Sequence, residues 1–87
     1  MIKINGDNYT QTTNYNEQPH SFNDEPAIII TKGKYKGDKH WYKNGQIHRE
    51  NGAAIIFNDG RKFYYLHGVE YLNIKSDDEW IIKQIIE

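Results

Sequence analysis

One stretch of the chain recurs at a fixed spacing. The segment from Gly37 to Gly45 aligns with the segment from Gly60 to Gly68, 23 residues later, with glycine on glycine, lysine on lysine and aromatic pairs on aromatic pairs. A second match joins residues 27–30 to residues 54–57 at an offset of 27 residues, so the first copy holds extra residues around 32–36. A repeat of this length is one supersecondary unit, and successive units stack. The spacing therefore predicts stacked hairpins.

The repeat carries the residues that tight turns require. Asn44 and Gly45 suit a type I′ hairpin turn, because that turn needs positive φ at both central residues. Further turns are predicted at Asn51-Gly52, Asn58-Asp59-Gly60 and His67-Gly68. The runs between the turns are rich in β-branched and aromatic residues. These runs predict strands at residues 27–31, 39–43, 53–57 and 61–66.

The C-terminal residues follow a different pattern. Ser76 and Glu79 have the spacing of a capping box, and the acidic residues 77–79 suit the positive end of a helix dipole. At about 100° per residue, four isoleucines form one apolar stripe with Trp80 on the opposite side. These are Ile81, Ile82, Ile85 and Ile86. The pattern predicts a helix over residues 76–87 whose isoleucine face is buried as a cap on the open end of the sheet.

Together these patterns predict a mainly β fold, an antiparallel β-hairpin meander with a C-terminal capping α-helix. The 87 residues are expected to form a single domain. Its parts are an N-terminal segment at 1–19, two hairpin units at 20–72 and the helix at 76–87. Residues 5–19 are consistent with either a loop or an edge strand. With no cysteine in the chain, the thin core has no disulfide support.

The residue pattern favours no catalytic or metal site and no cofactor. The histidines, at positions 20, 40, 48 and 67, lack the spacing of metal ligands. No nucleophile lies in a motif with a base, and there is no Gly-rich phosphate loop. We therefore expect a protein that is not an enzyme. The N-terminus lacks an apolar stretch of signal-peptide length and no segment has the length of a membrane span, so a cytoplasmic location is expected.

Residues 41–54, with the Asn58-Asp59-Gly60 turn after them, resemble the MORN repeat family and its variant in bacteriophage and bacterial proteins. Trp41-Tyr42-Lys43-Asn44-Gly45 matches the Trp-Tyr-x-Asn-Gly segment of that variant, and His48-Arg49 begins its His-Arg-x-x-Gly-Pro-Ala segment. Ala53 stands where the variant has proline, and the second copy departs from the pattern at residues 70–71. The resemblance covers roughly residues 20–72.

The resemblance implies a non-catalytic module that binds protein or lipid partners or dimerises. Phage-type proteins of this kind are small accessory proteins, and such proteins often bind and block a host defence component such as a CRISPR effector. The leading expectation is therefore a phage-encoded, anti-CRISPR-like or other counter-defence inhibitor acting in the host cytoplasm. A structural homodimer that completes the sheet is an alternative, because two repeats are fewer than the three that usually stand alone.

A nucleotide or nucleic-acid partner is a further alternative. Residues 32–49 carry six basic residues against one acidic residue, although the net charge of −1 argues against bulk nucleic-acid binding. In residues 32–43 the aromatic rings are suited to stack on bases while the lysines contact phosphates. Equally, Trp41 and Tyr42 are repeat positions suited to packing between hairpins.

The candidate partner-binding residues are the aromatic residues and lysines of these segments. They are Tyr35, Trp41, Tyr42, Tyr64, Trp80, Lys34, Lys36 and Lys39. Trp80 has two interpretations. On the outward side of the helix it would be an exposed anchor for a partner. Alternatively, it packs onto Tyr71 or Leu72 in the sheet.

Overall fold

The computed structural model describes residues 1–86 and shows a mainly β architecture. Those residues form a seven-stranded antiparallel sheet, a separate two-stranded ribbon and one C-terminal helix. The predicted fold class, a β-hairpin meander with a terminal helix, is confirmed. Within residues 1–86, no helix combines the length and the apolar character needed to cross a lipid bilayer.

The large sheet has the strand order β1-β2-β3-β4-β7-β8-β9, and β5 pairs with β6 as the ribbon. The strands are β1 (Ile2–Asn5), β2 (Tyr9–Thr13), β3 (Ile28–Ile30), β4 (Lys39–His40), β5 (Tyr42–Lys43), β6 (Gln46–Ile47), β7 (Ile55–Ile56), β8 (Lys62–Leu66) and β9 (Val69–Tyr71). The helix α1 spans Asp77–Ile86. The predicted strand at 39–43 is divided at Trp41, where the chain leaves the large sheet for the ribbon.

The N-terminal segment is a β-hairpin that extends the sheet beyond the repeat units. In the hairpin Ile2 pairs with Thr13, and β2 then pairs with β3 through Gln11 and Ile28. The sequence of residues 5–19 was consistent with a loop or an edge strand, whereas residues 9–13 form a strand inside the sheet, between β1 and β3. β1 is the edge strand, and all four of its residues are exposed.

Two predicted turns have the expected backbone geometry. Asn44 and Gly45 have φ angles of 47° and 85°, and His67 and Gly68 have φ angles of 50° and 80°. All four values are positive, as a type I′ turn requires.

A histidine of the preceding unit supports each of these turns. The Nδ1 atom of His20 accepts the backbone N–H of Asn44 at 3.0 Å. The Nδ1 atom of His48 accepts the backbone N–H of His67 at 2.9 Å. Each unit is thus hydrogen-bonded to the turn of the next unit, and these two histidines have a recurring structural role.

Trp80 lies at the centre of the core, which corrects its interpretation as an exposed anchor. Its side chain is 0% exposed, and its ring packs against Tyr64 and Tyr71 at centroid distances of 5.4 and 5.2 Å. The indole N–H donates to the carbonyl oxygen of Arg49 at 2.9 Å. The alternative interpretation, packing onto Tyr71, is the one observed, whereas Leu72 remains exposed.

The isoleucine stripe of α1 faces outward, so the expectation that it packs on the sheet was wrong. The exposed fractions are 36% for Ile81, 55% for Ile82, 77% for Ile85 and 76% for Ile86. Trp80 and the isoleucines lie on opposite faces of this short helix. Because Trp80 is buried against the sheet, the isoleucines are left facing solvent.

Further hydrogen bonds hold α1 in this orientation. The Nε2 atom of Gln84 donates to the carbonyl oxygen of Glu50 at 2.7 Å, and the Tyr64 hydroxyl donates to Oδ1 of Asp77 at 2.8 Å. At the N-terminus, the Ser76 hydroxyl accepts the N–H of Glu79, as the capping box predicts. The Glu79 carboxylate accepts the N–H of Lys75 rather than that of Ser76.

Candidate functional site

Three of the candidate partner-binding residues are structural. Trp41 and Tyr64 are each 5% exposed, and Trp80 is fully buried. Burial and the Asp77 carboxylate raise the pKa of the Tyr64 hydroxyl to about 12, so this group acts as a hydrogen-bond donor to the helix N-terminus. None of the three side chains is available to a partner, which corrects their assignment as binding residues.

Three other candidates come together in one exposed loop. Residues 32–37, here named the Tyr35 loop, connect β3 with β4 and contain Lys34, Tyr35 and Lys36. Internal hydrogen bonds close the loop, including Gly37 N–H to the Ile30 carbonyl at 2.8 Å. The extra residues that the first repeat copy carries are therefore an ordered projection.

The Tyr35 loop is fastened to the neighbouring turn at Asn58. The Nδ2 atom of Asn58 donates to the carbonyl oxygens of Lys34 and Lys36, at 3.0 and 3.1 Å. The backbone N–H of Asn58 in turn donates to the buried carboxylate of Asp38 at 2.7 Å. These bonds fix the loop backbone before any partner arrives.

The side chains of the Tyr35 loop point into solvent. Tyr35 is 59% exposed, and the Nζ atom of Lys34 lies 5.7 Å from the centroid of its ring. Lys32, Lys34 and Lys36 are all exposed. The loop therefore presents an aromatic ring among cations, a combination that suits an anionic surface.

The remaining two candidates lie elsewhere. Lys39 lies on the sheet, where the register places it beside Ile56, with Lys62 on the other side of Ile56. Tyr42 is half-buried in the ribbon and lines a separate cleft. The structure thus divides the predicted basic-aromatic segment between the loop, the sheet and the ribbon.

That cleft, of about 260 Å³, is built around Arg49. The guanidinium of Arg49 stacks on the Trp41 ring at 4.0 Å and makes a two-pronged ion pair with Asp24, with both N–O distances 3.0 Å. The Trp41 indole N–H donates to the Asp24 carbonyl at 3.0 Å. The hydrogen bonds from Arg49 lower the pKa of the Asp24 carboxyl. The sequence analysis did not find this pair, whose members lie 25 residues apart.

His48 lines the same cleft, and its ring makes structural contacts. Its Nδ1 atom accepts the His67 N–H, so Nε2 carries the proton and faces Oε2 of Glu50 at 3.3 Å. Burial lowers the pKa of His48. Both ring nitrogens therefore make contacts that stabilise the fold. Among residues 1–86, no group of three or more His, Cys, Asp or Glu side chains is arranged to hold a metal ion.

The stability of the protein is expected to fall as the pH drops below about 6.5. The folded-state pKa of His48 lies below its ordinary value of 6.5 because of burial, and that of His40 is lowered for the same reason. Just below pH 6.5, the unfolded chain therefore binds more protons than the folded chain. As a result, the free energy of unfolding has its full value above that pH and decreases as the pH falls. Urea unfolding at pH 7.5 and at pH 5.5 measures this difference.

The variant His48→Gln serves as the control for this pH dependence. It should show a smaller loss of unfolding free energy between the two pH values than the wild type, because one of the titrating groups has been removed. An unchanged pH dependence in the variant would show that His48 does not contribute.

Comparisons of the chain with family models, with curated proteins and with solved structures found no match.

Proposed function

We propose that this protein is a non-catalytic binding module that occupies the surface of a larger protein through the Tyr35 loop. The main support is the exposed Tyr35 ring, held among exposed lysines on a backbone that Asn58 fastens. The cleft around Arg49 supports this function less well, because its Arg49, Asp24 and Trp41 groups are already bonded to one another.

The chemistry of the loop suggests the kind of surface it contacts. Tyrosine is enriched among the residues that dominate binding energy, because it buries a large ring with few rotatable bonds. A loop that is ordered before binding loses less conformational entropy in the complex. Lysines around the ring favour encounter with acidic surfaces. The partner surface is therefore acidic and has a recess for one aromatic side chain.

The phage-type MORN resemblance of residues 41–54 supports a narrower form of the proposal. In that form, a phage-encoded accessory protein inhibits a host defence protein, such as a CRISPR effector, by covering an acidic functional surface in the host cytoplasm. This narrower form depends on analogy between families, whereas the binding role of the loop depends on its geometry.

The proposed role of Tyr35 can be tested by comparing two tyrosine variants. Wild type, Tyr35→Ala and Tyr15→Ala are immobilised, and proteins retained from bacterial lysates are quantified by mass spectrometry. A partner should be retained by wild type and by Tyr15→Ala, which removes a ring that is even more exposed than Tyr35 (87% against 59%). The amount of that partner retained by Tyr35→Ala should be lower by about tenfold or more. Equal retention by all three proteins would contradict the proposal.

A nucleotide or nucleic-acid partner is the second candidate, favoured by the same interleaving of lysines with an exposed ring. Salt dependence separates the two candidates. Affinity for a single-stranded oligonucleotide should fall steeply with ionic strength if several phosphates contact the lysines. Fluorescence titration at two salt concentrations measures this, and no oligonucleotide binding at low salt would exclude the second candidate.

A further inference from the structure

Three asparagine–glycine pairs occur in the chain, at residues 5–6, 44–45 and 51–52. Asparagine is one of the chemically labile residues of proteins. It is most labile before glycine, because the backbone nitrogen of the next residue attacks the side-chain amide carbon and glycine has no side chain to obstruct the approach. The structure distinguishes the three pairs by the hydrogen bond that the glycine nitrogen makes.

In two of the pairs the glycine N–H is bonded within a turn. The Gly6 N–H donates to the Tyr9 carbonyl at 2.8 Å, and the Gly45 N–H donates to the Pro19 carbonyl at 2.9 Å. Either nitrogen has to give up its hydrogen bond before it can attack the preceding amide, and the loss of that bond adds to the barrier. The fold therefore protects Asn5 and Asn44.

The third pair lacks this protection. Residues 51 and 52 lie in the segment between β6 and β7, and within residues 1–86 the Gly52 N–H makes no hydrogen bond although Gly52 is buried. Such an arrangement is rare, because nearly all buried backbone N–H groups have an acceptor. Attack by this nitrogen therefore breaks no hydrogen bond of the protein. The Asn51 side chain is exposed, so water has access to the product of the attack.

We propose that Asn51 is the site at which the folded protein undergoes spontaneous deamidation. The Gly52 nitrogen forms a bond to Cγ of Asn51, and the bond from Cγ to Nδ2 breaks. Nδ2 leaves as ammonia and takes up the proton that the Gly52 nitrogen gives up. One water molecule then opens the resulting succinimide ring and leaves either aspartate or isoaspartate at position 51, so water is the only co-reactant. The proposal does not depend on the proposed function.

The modification alters a tightly packed part of the fold. A Cβ atom on Gly52 would lie 3.1 Å from Nη1 of Arg49 and 3.3 Å from Cγ of Asp77, so there is little free space around this residue. The next residue, Ala53, is 0% exposed, and its carbonyl accepts a hydrogen bond from Arg49. Isoaspartate at position 51 lengthens the backbone by one methylene group and displaces Gly52 and Ala53. Deamidation is therefore a slow, one-way change that weakens the contacts of Arg49.

Peptide mapping by mass spectrometry tests the site. The full chain is incubated at mildly alkaline pH, once folded and once unfolded in urea, and deamidation is quantified at Asn5, Asn44 and Asn51. In the folded protein Asn51 should react at least several-fold faster than the other two. In urea the three should react at similar rates, because the protecting hydrogen bonds are lost.

Equal rates at the three positions of the folded protein would overturn the proposal. So would a faster reaction at Asn5 or Asn44. The same preference for Asn51 in urea as in the folded protein would also overturn it, because the preference would then come from the local sequence.

Urea denaturation of the aged protein tests the structural consequence. The deamidated form carries one more negative charge, so ion exchange separates it, and its denaturation midpoint should be lower than that of the unmodified form. The control is Asn51→Gln, a substitution at an exposed position that should leave the fold intact. Its longer side chain cyclises far more slowly, so incubation should not change its midpoint. Equal midpoints for the deamidated and unmodified forms, or a loss in Asn51→Gln as fast as in wild type, would contradict this consequence.

Discussion

The substitution Trp80→Ala is expected to lower the free energy of unfolding by about 3–5 kcal/mol, the usual cost of removing a buried aromatic side chain. The indole is 0% exposed, contacts the rings of Tyr64 and Tyr71, and satisfies the carbonyl of Arg49. Because a domain of this size has a total stability of about 5–10 kcal/mol, the variant should be partly unfolded at moderate temperature. Urea denaturation followed by circular dichroism measures the change.

Ile85→Ala is the matched control for this prediction. Its side chain belongs to the same helix but is 77% exposed, so the variant should lose no more than about 0.5 kcal/mol. A larger loss for Ile85→Ala than for Trp80→Ala would mean that α1 packs through its isoleucine face.

The substitution Arg49→Ala is expected to cost about 2–3 kcal/mol. Arg49 stacks on Trp41, pairs with Asp24 through two hydrogen bonds and donates to the Ala53 carbonyl at 3.1 Å. Breaking a fully buried ion pair costs about 3–5 kcal/mol. The expected value is lower because the Asp24 side chain is 38% exposed and solvent screens part of the interaction. Thermal and urea unfolding measure the loss.

Two further variants define the origin of that loss. Arg49→Lys should recover less than half of it, because an ammonium group cannot reproduce the planar stack and the paired hydrogen bonds. Arg61→Ala removes an arginine whose ion pair with Asp59, at 2.8 Å, is exposed, and should cost less than about 1 kcal/mol. Equal losses for Arg49→Ala and Arg61→Ala would show that the Trp41–Arg49–Asp24 cluster adds no stability.

The hairpins and their turns could be predicted because their signals are local. Asn44-Gly45 and His67-Gly68 have positive φ at both positions in the structure, and such residues favour that geometry in any context. The strands between the turns follow from β-branched and aromatic composition in the same way. The N-terminal hairpin was less clear because residues 9–13 combine β-forming Tyr and Thr with polar residues.

The orientation of α1 could not be predicted from helical periodicity alone. Periodicity identifies two opposite faces, one with four isoleucines and one with Trp80, and burial of either face is compatible with it. The choice depends on a recess lined by Ala53, Tyr64 and Tyr71 and on the Arg49 carbonyl, which distant parts of the chain bring together. A count of the apolar residues on each face does not take into account the shape of this recess or the hydrogen bond that the Arg49 carbonyl requires.

The candidate site was predictable in part. Lys34, Tyr35 and Lys36 fall in the insertion that distinguishes the first repeat copy from the second, and an insertion between strands is expected at the surface. The burial of Trp41 was one of the alternatives that the sequence analysis left open, because Trp41 occupies a repeat position suited to packing between hairpins. The Asp24–Arg49 pair joins residues far apart in sequence, and no local pattern marks it.

The two indole N–H groups suggest how the repeat array ends. Trp41 donates to a carbonyl in the segment between His20 and Ala27, and Trp80 donates to one in the segment between His48 and Ala53. The helix thus supplies an indole donor at this end, where Tyr64, the residue aligned with Trp41, donates its hydroxyl to Asp77 instead. We therefore expect that α1 can cap the array wherever it is joined to the last hairpin. If one more 23-residue unit with its histidine and its alanine pair were inserted before residue 72, α1 should still cap the last hairpin.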